Sequence, residues 1–123
     1  ATSNPEARDI QSVPVGEEST IAQGVVDECA AFNVEANKAD KPGDVGVVVG
    51  ATLDNPPRLD ALNGPVLLPG VGAQGAGPEQ VHGIVSARPS LGFANVSRAV
   101  LEQGPDVADL RKAVAQVAAE FRD

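Results

Sequence analysis

The chain has no tryptophan, tyrosine or methionine, only three phenylalanines and a single histidine. Its core must therefore be assembled almost wholly from valine, leucine, isoleucine and alanine, the usual material of parallel sheets covered by helices. A lone cysteine, Cys29, excludes an internal disulfide and is compatible with a reducing compartment. Positive charge is also scarce: nine basic against seventeen acidic residues leave a net charge of −8. That argues against a nucleic-acid or anionic-membrane surface, because binding phosphate at scale needs clustered positive charge. The longest apolar run, residues 45–49 with flanking glycines, falls far short of the roughly 20 residues needed to span a bilayer. The N-terminal stretch carries no apolar signal region. The expectation is a soluble, cytoplasmic protein. At 123 residues it is about one domain, able to bury roughly two thirds of the surface its unfolded chain exposes.

What is present follows a repeating pattern. The polar residues 1–18, with two prolines, read as loop. From 17 to about 37, Ile21, Val25, Cys29 and Phe32, with Val26 and Ala30 beside them, recur at helical spacing and predict an amphipathic helix. Residues 45–50 form a valine and glycine run without polar alternation, which predicts a strand buried on both faces. A short helical or irregular crossover through Leu59 and Leu62 leads to a second strand at 65–68. A short helix starting near Pro78 and a third strand at 92–96 follow, and Ser97 is placed to cap a helix through Leu101. Val107, Leu110, Val114, Val117, Ala118 and Phe121 then share one face of a last helix. Repeating β and α units of this kind predict a parallel sheet with helices packed on it.

Two loops fall at predicted strand ends, where parallel α/β folds gather their ligands. The first lies in LLPGVGAQGAGPEQ, residues 67–80, which holds four glycines, two prolines and no cationic side chain before its end. Its glycines permit positive φ and close approach of backbone N–H groups to an anion, and they suit a lid that closes. The second is Asn95-Val96-Ser97-Arg98, where a helix start would lie beside a guanidinium. Together they make a phosphate clamp: a neutral hydrogen bond from Gln74, a charged fork from Arg98, and backbone amides between. Other candidates are weaker. His82 has no partners spaced for a metal site, and Cys29 reads as a small hydrophobe on a helix face. Glu17, Glu18 and Asp106 read as helix-start charges. Lys38, Lys41 and Lys112 stand away from the strand ends. No acid or base cluster is in evidence, so the chain is equipped to hold a phosphorylated substrate without the group that transforms it.

Pro69-Gly70-Val71-Gly72-Ala73-Gln74-Gly75, then Asn95-Val96-Ser97-Arg98-Ala99-Val100, with Ala1-Thr2-Ser3-Asn4-Pro5-Glu6 and Val47-Val48-Val49-Gly50-Ala51-Thr52 ahead of them, resemble the second half of orotidine 5′-phosphate decarboxylase in its actinobacterial and myxobacterial form. The resemblance covers essentially all of the chain, and 81–92 is its least similar part. It implies a (β/α)8 TIM barrel, with this chain covering the end of strand five, at Ala1 to Ser3, through helix eight. It implies conversion of orotidine 5′-monophosphate to uridine 5′-monophosphate in pyrimidine biosynthesis, without metal or organic cofactor, by a homodimer. Gln74, Arg98 and Gly75 would then hold the phosphate, Ser3 would hydrogen-bond the pyrimidine, and Pro69 would line the base pocket. The family's Asp-x-Lys-x-x-Asp signature and an earlier lysine are absent. They supply the charged network that destabilises the substrate carboxylate and the ammonium that protonates C6. The 123 residues are accordingly expected to be the C-terminal half of one barrel domain, inactive alone and docked to an N-terminal half. A half-sheet with open edges should be prone to association. Another sugar-phosphate lyase, isomerase or epimerase, or a non-catalytic phosphate-binding half-barrel, stays open as an alternative.

Overall fold

A computed structural model describes residues 7–16, 19–72 and 74–121. The prolines and polar residues near the start form more than loop. A single helical turn, α1 (Arg8–Gln11), precedes an antiparallel hairpin of β1 (Pro14–Val15) and β2 (Ser19–Thr20). Glu17 and Glu18 lie outside the described residues. The hairpin delays the expected first helix, α2 (Ile21–Phe32), which starts where the Thr20 side chain accepts a hydrogen bond from Gln23 N at 3.2 Å. Thr20 thereby satisfies one of the amide groups that a helix leaves open at its start.

The helix predicted to run to 37 is broken at Asn33, after which α3 (Val34–Lys38) continues. The cause lies in the side chain. Asn33 is 2% exposed; its Nδ2 donates to Val45 O at 2.7 Å and Leu62 O at 2.8 Å, and its Oδ1 accepts from Val45 N at 3.1 Å. A buried amide that joins three chain segments outweighs the continuation of one helix.

The sheet comprises β3 (Val47–Val48), β4 (Val66–Pro69) and β5 (Gly92–Asn95), parallel and in that order. Val47 and Val48 face Val66 and Leu67 across one ladder, and Val66 to Pro69 pair with Gly92 to Asn95 across the other. The first ladder runs beyond β3, since Val49 N donates to Leu67 O at 2.9 Å and Ala51 N to Pro69 O at 2.8 Å. Between β3 and β4 the crossover is irregular and inserts Leu59 and Leu62 into the core. Helix α4 (Pro78–Ile84) and a 3-10 turn (Pro89–Leu91) lead into β5, which α5 (Arg98–Leu101) and α6 (Val107–Glu120) follow. Asp106 caps α6 by accepting from Ala108 N at 2.7 Å and Asp109 N at 3.3 Å.

Helices cover one face of this sheet. Val26 of α2 and Val81 and Val85 of and beside α4 join Val49, Val66 and Leu68 in a single core. The other face is open, which corrects the expectation of strands buried on both sides. Val48, Leu67 and Phe93 occupy one rung across all three strands and are 40%, 43% and 50% exposed. Strand side chains alternate between faces, so a valine-rich strand is apolar on both whether or not both are covered. The helices depart from expectation similarly. In α2, Val26 is buried while Val25 and Phe32 are exposed; in α6, Leu110, Val117, Ala118 and Phe121 are half-buried as expected, but Ala113 is buried while Val107 and Val114 are exposed.

Candidate functional site

The site begins where β4 ends. Pro69 is half-buried, its ring on the same face as Leu67, and its register partner Asn95 is exposed on that face at the end of β5. The chain then turns through Gly70, Gly72 and Gly75 at φ 97, 74 and 96. These are conformations that residues with a Cβ rarely adopt. Val71 and Ala76 form an isolated bridge and are 6% and 5% exposed, so two small apolar side chains anchor the loop to the core. Gly72, Gln74 and Gly75 between them are exposed.

Gln74 is carried at the exposed tip and folds back towards Gly70. A Cβ at Gly70 would lie 3.0 Å from Gln74 Oε1 and 3.5 Å from Thr52 Cγ2. Thr52, just past the end of the β3 ladder, thus borders the same pocket of space. At Gly72 a Cβ would lie 3.5 Å from Ala99 Cβ and 3.9 Å from Val96 Cγ1. The glycine loop therefore rests on the first turn of α5, and the two stretches singled out in the sequence are neighbours in space. Arg98 opens α5, is exposed, and makes no ion pair with any described residue.

Two details of the expected clamp are revised. Ser97 occupies the N-cap position, but its side chain makes no capping hydrogen bond, and α5 is only four residues long. Aligned peptide dipoles sum over a helix's length, so one turn adds little and positive charge here rests on Arg98. Several of the described loop amides are also engaged internally. Gly72 N donates to Ala76 O at 2.9 Å, Gly75 N to Gly72 O at 2.8 Å, and Gly77 N to Gln80 Oε1 at 2.9 Å. They shape the loop rather than face an anion.

Ser3 lies outside the described residues, as does the strand-five tail expected at Ala1 to Ser3. His82 is in the last turn of α4, and Cys29 is half-buried against the core. Lys38 is paired with Glu35 at 2.7 Å on the surface. Among the described residues no group of three or more His, Cys, Asp or Glu is arranged to hold a metal, and no helix is long and apolar enough to cross a membrane. Thr52 and Asn95 drew no separate role from the sequence. Their signal was positional, each standing at the carboxyl end of a strand.

No protein-family model matches the chain. It is 47% identical over 121 residues to an orotidine 5′-phosphate decarboxylase of Corynebacterium glutamicum (strain R), an alignment covering 98% of this chain and 44% of that one. It is 51% identical to the enzyme of the same name from Corynebacterium efficiens, of which it covers 43%. A crystal structure from Streptomyces avermitilis assigned to the same activity superposes with a TM-score of 0.81 at 40% identity, over 98% of this chain and 42% of the other. The chain thus spans somewhat under half the length of the proteins it matches. By sequence and by fold, it is a homologue of part of the orotidine 5′-phosphate decarboxylases.

Proposed function

We propose that this chain is the C-terminal half of a (β/α)8 barrel, from the end of strand five through helix eight, that decarboxylates orotidine 5′-monophosphate to uridine 5′-monophosphate. The observation that carries the reading is the seating of the glycine loop on the Val96 to Ala99 turn, which sets Gln74 and Arg98 on neighbouring strand-end loops. Their side chains grip the phosphate, Arg98 by charge-assisted hydrogen bonds and Gln74 by a neutral one. Gly75 contributes the positive-φ turn that presents Gln74. Closure over substrate would re-pair the Gly72 and Gly75 amides towards phosphate oxygens. Pro69 lines the base pocket beside Asn95, and Ser3 hydrogen-bonds the pyrimidine.

The mechanism divides between two segments. Binding energy drawn from a phosphate remote from the reacting carbon can be used to hold the pyrimidine in its reactive environment. The present chain supplies that hold. Loss of carbon dioxide and protonation of C6 fall to the carboxylates and lysines of the other segment, without cofactor. The open Val48, Leu67, Phe93 rung supports a missing segment, because the interior of such a barrel is filled by inward-facing apolar side chains from all its strands. The complete barrel is proposed to act as a cytoplasmic homodimer. No observation favours another sugar-phosphate lyase or an inert half-barrel.

The test is nucleotide binding by the full-length protein. Arg98→Ala should weaken uridine 5′-monophosphate by about 1.5 to 3 kcal/mol, the loss expected for a charged hydrogen bond, and leave uridine affinity unchanged. Equal affinity of wild type and variant for the nucleotide at low and high salt would sink the assignment.

A further inference from the structure

The turn leading into β4 contains a chemically labile pair, Asn63 followed by Gly64, the chain's one Asn-Gly dipeptide. In an unconstrained chain, the backbone nitrogen after an asparagine can attack the side-chain amide, and glycine in that position hinders the attack least.

The fold requires both residues. Asn63 adopts φ 47, a left-handed conformation that asparagine tolerates better than most side chains. Its Nδ2 donates to Lys41 O at 2.8 Å, and its carbonyl accepts from Gly43 N at 2.7 Å. At Gly64, a Cβ would overlap the Val45 carbonyl oxygen and come within 2.7 Å of Asn33 Nδ2. A less reactive pair would therefore lose a bond or collide with the backbone.

The same contacts hold the pair shut. Asn63 is 3% exposed, its leaving nitrogen is bonded to Lys41 O, and its own backbone is pinned to Gly43. One weakness is visible: Asn63 Oδ1 is buried without a hydrogen-bond partner among the described residues, so the amide is secured from one end only.

We propose that Asn63-Gly64 is a latent succinimide site, closed by the native turn and reactive when that turn opens. On opening, Gly64 N loses its proton to solvent and attacks Asn63 Cγ. The N–Cγ bond forms, the Cγ–Nδ2 bond breaks, and the departing NH2 takes up one proton and leaves as ammonia. Water then adds to either imide carbonyl, and the ring opens to aspartate or isoaspartate without any redox change. Neither product recloses well. A carboxylate cannot donate to Lys41 O and would be buried against another oxygen. Isoaspartate also lengthens the backbone just before Pro65, whose carbonyl accepts from Val47 N at 3.0 Å. A transient opening thereby becomes permanent, which makes the site an ageing timer set by local stability. It does not depend on the phosphate reading.

The full-length protein is incubated at mildly alkaline pH, native and in urea, and conversion at Asn63 is followed by peptide mapping with isoaspartate detection. Conversion in urea should exceed the native rate by about tenfold or more, equivalent to an opening free energy of at least ~1.4 kcal/mol. The converted fraction, separated by charge, should melt at a lower temperature. Asn63→Gly, which retains access to positive φ, should show no conversion in this peptide. Equal native and urea rates would overturn the lock, an unreactive Asn63 in urea would overturn the site, and a converted fraction with wild-type Tm would overturn the timer.

Discussion

Glycine does opposite jobs at the two ends of this sheet. At the amino ends of the strands, Gly43, Gly46, Gly64 and Gly92 have no room for a side chain. A Cβ would run into Asn33, the Pro65 carbonyl, the Val45 carbonyl and the Val85 side chain respectively. At the carboxyl ends, Gly70, Gly72 and Gly75 have positive φ, and a Cβ would meet only side-chain atoms, at 3.0 Å for Gly70 and 3.5 Å for Gly72, with nothing within 4 Å at Gly75. In the first set, Gly43 and Gly64 close the chain around the Asn33 hub while Gly46 and Gly92 admit Pro65 and Val85; the second set bends a loop outward to present Gln74. One end is built for cohesion and the other for contact with something outside, the division of labour expected of parallel βα folds.

The comparison can be broken by adding single methyl groups to the full-length protein. Gly64→Ala should be the most damaging, costing about 3 kcal/mol of stability because the obstacle is a backbone carbonyl that cannot move aside. A thermal melt checks this, and a Tm within error of wild type would show that the amino-end glycines are not packed as described. Gly75→Ala meets no neighbour but must adopt positive φ, so a smaller loss of about 1 to 2 kcal/mol is expected. Nucleotide titration should find that loss in affinity as well as in stability, whereas Gly64→Ala, if it folds, should retain native affinity. The smallest effect has the opposite sign. Gly24 lies inside α2 with nothing within 4 Å of a Cβ, and Gly24→Ala should stabilise by about 0.5 to 1 kcal/mol through helix propensity alone. A lower Tm for Gly24→Ala would mean that this helix face is covered in the whole protein.

Much of the strand and helix order was legible because its signals are local. Val47, Val48, Val66 and Leu68 belong to short β-branched or apolar runs bounded by glycine and proline, and Asp106 announces α6 by its own side chain. The break at Asn33 was not legible. A polar residue at helical spacing reads as surface, and only its distant partners at Val45 and Leu62 make it a hub. The face of α6 was read correctly in its centre and wrongly at its edge. Leu110, Val117, Ala118 and Phe121 are half-buried as expected, but the helix is turned so that Ala113 is buried and Val107 and Val114 are exposed, a rotation that periodicity alone does not specify. At the site, Gln74 and Arg98 were readable as strand-end residues. That the Gly72 and Gly75 amides would be consumed internally was not, since Gly72 to Ala76 and Gly75 to Gly72 are choices of loop geometry.

By itself, then, the sequence determined the α/β class, the positions of the strands and the residue types offered at their ends. These follow from spacing, branching and glycine content within a few neighbouring residues. Only the tertiary structure decided that the glycine loop would rest against Ala99 and Val96, that Asn33 would be buried, and that the Val48, Leu67, Phe93 rung would stand open. Each of those depends on contacts between segments far apart along the chain, where burial and hydrogen-bond satisfaction override local preference.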